Sequence, residues 1–189
     1  GGLRATGRAL VLAKSYWYLI DFVWRTNHWN YAKISDVLCD VTIRTVNGTT
    51  HTTLQRYKTG HAEETFGVYL AMDGNNKAEV GKLREKAEEF ADCICTGFVS
   101  CNEAWVALNL TITKTFEYPM EAITLTKPQW DFIMSPIFMA TLPCAGIVCT
   151  FPRDMVYAPA NYCGLSSMHP WYHQELIHLK PCLNETITS

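Results

Sequence analysis

No stretch of this chain approaches the roughly 20 consecutive apolar residues that a membrane-spanning helix needs. The apolar run Ile133–Leu142 is short and is broken by Ser135 and Pro136. Charge of one sign is lacking too. The net charge is −2, so the whole chain carries no bulk electrostatic mark of a polyanion binder, and only a local basic stripe could serve that purpose. The eight cysteines stand at scattered positions without a Cys-x-x-Cys repeat, which speaks against a zinc ribbon or a dense disulfide framework. We read them as free thiols in a reducing compartment. Asn-x-Thr tripeptides begin at Asn47, Asn109 and Asn184, but Asn109 falls in an expected helix, a poor glycan acceptor.

Catalytic and phosphate-binding signatures are missing as well. There is no Gly-x-Ser-x-Gly, no phosphate-cradling loop ending in Gly-Lys-Ser/Thr, and no dinucleotide fingerprint. The opening Gly-Gly-Leu-Arg-Ala-Thr-Gly has no apolar core of a signal peptide. It begins with Gly rather than Met, and we expect the chain to be a piece of a longer polypeptide.

What is present divides into strands followed by helices. Tyr16–Trp24 is aromatic and β-branched and reads as a strand, with Trp29-Asn30-Tyr31 pairing back across Thr26-Asn27-His28. Val41–Val46 and Thr49–Leu54 flank Asn47-Gly48, a pair suited to a type I′ turn because both central residues need positive φ. Glu64–Leu70 is expected to be the last strand, and Asp73-Gly74 closes the strand region. Residues 1–13 read as the end of a helix.

Beyond Gly74, N-cap boxes recur at Asn76/Glu79, Ser100/Glu103 and Thr126/Gln129. The first opens a helix over 75–95 with Val80, Leu83, Ala87, Phe90 and Ile94 on one apolar stripe and charged residues elsewhere. The second carries Trp105, Leu108 and Ile112 and nears its end at Pro119. The third carries Trp130, Ile133 and Ile137 with a bend expected at Pro136. A short helix from Phe151-Pro152-Arg153 to Pro159 and a last one over His169–Lys180 complete the order. The fold class is therefore α+β: antiparallel strands and hairpins over residues 1–74, then a helical bundle over 75–189.

Local chemistry is sparse. His169 and His173 are four apart with Cys163 nearby, but no His-Glu-x-x-His pattern exists, and surface or partly buried histidines are the better reading. Glu63-Glu64 and Glu88-Glu89 are adjacent carboxylates that read as edge and solvated positions. The aromatics Trp17, Trp24, Trp29 and Tyr31 lie among Arg25, Lys33 and Arg44, a composition able to stack bases, although strand alternation would by default turn half of them toward a core. Residues 1–74 hold eight Lys/Arg against six Asp/Glu, and residues 75–189 hold eight against twelve, so the basic excess sits with the strands.

Three segments carry a family resemblance. Gly1–Leu10 followed by Lys14-Ser15 and Tyr16–Ile20 resembles the stretch after the catalytic Asp pair of retrotransposon-type reverse transcriptases. Glu64–Leu70 is similar to that family's primer-grip strand, with Phe66 where Leu is usual. Leu142-Pro143, Phe151-Pro152-Arg153, Tyr157-Ala158-Pro159 and Gly164-Leu165 are similar to the region following the polymerase core in elements of eukaryotic microbes, with Cys163 where Gly is usual.

The resemblance implies a palm-to-thumb fragment of an RNA-directed DNA polymerase, binding an RNA template and a DNA primer. Lys14 would assist pyrophosphate departure, Phe66 and Gly67 would steady the primer end, and Arg25 would contact nucleic acid. Mg2+ would be held by aspartates elsewhere in the parent polypeptide, so this segment is expected to show no polymerase activity alone. The implied location is intracellular, cytoplasmic or nuclear. The alternative is a non-enzymatic α+β interaction module or a decayed element remnant.

Overall fold

A computed structural model describes residues 15–44 and 51–187. Helix accounts for 51% and strand for 17%, segregated along the chain, and the fold is α+β. The chain forms two compact units. One comprises residues 1–63 and 71–75, the other residues 64–70 and 76–189. The expected border after residue 74 therefore runs differently: a seven-residue loop of strand and turn belongs with the helices.

The first unit is built from short two-stranded pairs. The long strand expected over Tyr16–Trp24 is two strands, β1 (Tyr16–Tyr18) and β2 (Phe22–Arg25), with Leu19-Ile20-Asp21 between them. β2 pairs antiparallel with β3 (His28–Tyr31), and β4 (Thr42–Arg44) pairs antiparallel with β5 (His51–Thr53). The Asn47-Gly48 turn between the latter lies outside the described residues, as does the helix expected over residues 1–13. β1 pairs with β6 (Gln55–Tyr57) in parallel, placing Trp17 opposite Arg56 and Tyr18 opposite Tyr57. Parallel pairing needs a long connection, which residues 19–54 supply. Among the described residues of this unit none is fully buried.

Glu64–Leu70 is not one strand. β7 (Ala62–Thr65) and β8 (Val68–Ala71) form a hairpin with Phe66-Gly67 as its turn, at φ 51° and 82°. Both turn residues are in the left-handed region, as a two-residue hairpin loop requires. Gly67 meets that demand without a steric penalty.

The second unit holds the core. α1 (Lys77–Thr96) packs along α4 (Lys127–Cys144), with Leu83 and Ala87 of α1 among the core side chains. Val80 and Phe90 are only half-buried, less than the stripe predicted. The Asn76/Glu79 box does not form: the Glu79 side chain is buried and accepts the Tyr69 N–H at 2.7 Å instead. The Ser100/Glu103 and Thr126/Gln129 boxes do form.

After α2 (Cys101–Val106) the helix widens into a π segment (Ala107–Ile112) before α3 (Thr113–Met120). Ala104, Leu108, Ile112, Phe116 and Met120 are all buried. A strict spacing of four drifts around an α-helix of 3.6 residues per turn, and the wider π turn cancels that drift. α4 continues through Pro136 without ending. It is the central helix, burying Trp130, Ile133, Ile137 and Leu142 among others. α5 (Arg153–Tyr157) and α6 (Pro170–Ile187) complete the unit, α6 reaching further than the sequence suggested.

Candidate nucleic-acid interface

The β2–β3 hairpin turns at Thr26-Asn27, both at positive φ (49° and 63°). Its register sets Phe22 opposite Tyr31 and Trp24 opposite Trp29, each pair with ring centroids 5.0 Å apart. Since side chains alternate across a strand, these four rings share one face. That face points to solvent, with Trp24 at 55% and Trp29 at 64% exposure. The default of aromatics facing a core is reversed here.

Arg25 lies on the other face of the hairpin, so it is not beside the rings. Its Nη2 donates to Asp36 Oδ2 at 2.6 Å. Asp36 also accepts the Lys33 N–H at 3.0 Å, and that backbone bond, followed by Arg25, holds its carboxyl below the usual range. The guanidinium already has a counterion.

Next to this face is a cleft of about 800 Å3, whose lining includes Tyr31, Lys33, Arg56, Tyr57, Lys58 and His61 and no carboxylate. Tyr31 belongs to both features. Arg56 is structural: its guanidinium lies 5.1 Å over Trp17 and Nη1 donates to the Val37 carbonyl. Tyr57 stacks on His61 at 4.1 Å, and Tyr18 donates to the His61 carbonyl at 3.0 Å. The Tyr18 phenol is shifted upward, by burial first and by neighbouring tyrosines and Glu63 next. Among the described residues of the lining, Lys33 and Lys58 have no ion-pair partner and can meet a phosphate.

In the second unit the hairpin turn is fastened at both carbonyls. Tyr118 Oη donates to the Phe66 carbonyl at 2.6 Å, and Lys82 Nζ donates to the Gly67 carbonyl at 2.6 Å and to Glu64 Oε1 at 2.5 Å. The Glu64 hydrogen bond, more than any other cause, raises the Lys82 ammonium above its ordinary range. Held this way, the Phe66 side chain is 88% exposed.

Of the residues singled out in the sequence, Arg25 thus lies in one unit and Phe66 and Gly67 in the other, while Lys14 lies outside the described residues. Lys58 and His61 were not marked as a cleft by any sequence signal, because the parallel β1–β6 pairing that builds it joins distant segments. Cys39, Cys93, Cys95, Cys101, Cys144, Cys149 and Cys163 are all unpaired. Among the described residues no group of three His, Cys, Asp or Glu is arranged to hold a metal ion. His169 and His173 face different carboxylates, Asp131 and Glu117. Among the described residues no helix is long and apolar enough to cross a membrane. No family model, curated protein or solved structure matches this chain.

Proposed function

We propose that this chain positions an RNA template and a DNA primer within an RNA-directed DNA polymerase of a retrotransposon-type element. The observation that carries the reading is the four-ring face of the β2–β3 hairpin beside a cleft lined by cations and free of carboxylates. Exposed rings stack on bases of any sequence, and lysines beside them neutralise the backbone. Nucleotidyl transfer itself would use Mg2+ held by the rest of the polypeptide, in an intracellular setting, cytoplasmic or nuclear. Lys14 and Phe66-Gly67 keep the roles that the resemblance gives them.

The test is binding of the chain to an RNA–DNA hybrid at two salt concentrations. Trp24→Ala with Trp29→Ala should weaken binding by about 1–3 kcal/mol per stacked base. Lys33→Ala and Lys58→Ala should each flatten the salt dependence by about one unit of slope. Affinity equal to that of an unrelated acidic protein would overturn the proposal. One observation favours a second reading, a protein-interaction module: the ring face itself carries no charge and Arg25 is turned away from it. That reading predicts salt-insensitive binding to a protein partner.

A further inference from the structure

The last helix carries an apolar face turned to solvent. On α6, Tyr172, Leu176, Leu179 and Leu183 are each more than half exposed. Their spacing of four, three and four places them within an arc of about 60° on a helix of 3.6 residues per turn. That is the alternation of a coiled-coil seam, with Leu176 and Leu183 at a and Tyr172 and Leu179 at d. The opposite side is committed to the core of the helical unit. There the Gln174 amide grips both backbone groups of Leu125, and His178 Nε2 meets the Met120 carbonyl at 2.7 Å. α6 is thus already folded and fixed, so a seam of two heptads does not have to offset the unfavourable nucleation that defeats short isolated helices.

Two opposite charges flank the seam, one on each side. Glu175 stands at g, and Lys180, five residues on, stands at e of the next heptad. Among the described residues neither has an ion-pair partner. Lys180 shares a hollow with Glu117 and Glu121, but Glu117 is taken by Lys114 at 2.7 Å and by His173 at 3.1 Å. A g residue and the e residue five on are the two that meet between parallel helices. In a parallel pair of α6 helices each Glu175 therefore faces Lys180 of the other copy, twice over by the two-fold symmetry. An antiparallel pair laid on the same seam sets Lys180 against His173 and gives Glu175 no cation.

We propose that α6 is a self-association surface: two copies of this chain pair through parallel α6 helices, with Leu176 and Leu179 at the centre of the seam and Glu175–Lys180 contacts on both flanks. The seam is short. Four half-exposed side chains cover on the order of 400 Å2 per copy, about half of what a standard interface buries on each side, so the dimer is weak and concentration-dependent.

Sedimentation velocity of the chain, from low micromolar to submillimolar concentration, tests this directly. The mass should climb from 21.4 kDa toward twice that value. Leu176→Glu with Leu179→Glu, both changes at exposed positions, should hold the chain at 21.4 kDa with its helical circular dichroism intact. Glu175→Lys and Lys180→Glu should each weaken the dimer by about fivefold or more, since two attractive contacts become repulsive. Mixing those two variants should restore it, because every g–e pair across the seam is then of opposite charge. A chain that stays monomeric throughout the range, a dimer that survives Leu176→Glu with Leu179→Glu, or two charge variants whose mixing restores nothing would each overturn the proposal.

Discussion

The Arg84 guanidinium donates to the backbone carbonyl of Phe132 and lies 4.5 Å over the same residue's ring. That carbonyl is an orphan. Its usual helical donor would be the N–H four residues on, and residue 136 is a proline. An arginine of α1 therefore supplies the hydrogen bond that α4 cannot make, and α4 continues past Pro136.

Arg84→Ala should cost about 1–2 kcal/mol, the range for a hydrogen bond from a charged donor on a partly shielded surface. In a Pro136→Ala background the carbonyl regains its N–H, and the same substitution should cost less than half as much. A double-mutant cycle in urea gives the coupling. Identical costs in both backgrounds would refute the compensation.

Gln174 is fully buried, and one amide serves three groups. Its Oε1 accepts from the Leu125 N–H at 2.9 Å and from Trp130 Nε1 at 3.0 Å, while Nε2 donates to the Leu125 carbonyl at 3.0 Å. Gln174→Leu keeps most of the volume but strands all three partners, so a loss of about 3 kcal/mol or more is expected from denaturant melts. Trp130→Phe, which removes one partner, should cost less than Gln174→Leu if the polar clamp outweighs packing at this point.

Phe66 stands at φ 51°, a conformation that costs a bulky side chain roughly 1–2 kcal/mol, and its ring is in solvent. Phe66→Asn should raise stability by about 1 kcal/mol, because Asn tolerates the left-handed region. Gly67→Ala should lower it by a similar amount. Thermal melts of the two variants moving in the same direction would contradict the turn geometry.

Burial first, opposed by Asp131 and Asp154 and aided by Lys127, pushes His169 below its ordinary pKa of 6.5. The folded state thus binds its proton less readily than the unfolded chain does. The stabilisation is fully present above pH 6.5 and is lost as pH falls through the folded value. His169→Gln should flatten the stability curve over this range, measured by urea melts from pH 7.5 to 5. Glu103 and Glu117, both held below 4.5, act only at lower pH.

How far the sequence could be read depended on whether the decisive partner was local. Ser100 and Glu103 satisfy each other within four residues, and their box was legible. Asn76 and Glu79 have the same spacing, but the Tyr69 N–H claims Glu79 and Asn76 donates to the Thr124 carbonyl. No local pattern announces such distant competitors. The Phe66 turn escaped for a related reason: Phe rarely takes positive φ, and it does so where Tyr118 and Lys82 fix both turn carbonyls. The outward ring face was hidden because alternation gives two faces without saying which is solvated.

The helical unit is not contiguous in the chain. Val68 sits in its core and the Tyr69 N–H is the donor to its buried Glu79, yet residues 71–75 of the other unit intervene before α1 begins. Splitting the gene at the apparent strand–helix border would give a helical product with a vacancy in its interior and a carboxylate buried without a donor. A boundary placed ahead of Glu64 keeps both partners, so where the helices begin as a folding unit is ten or more residues before they begin as helices.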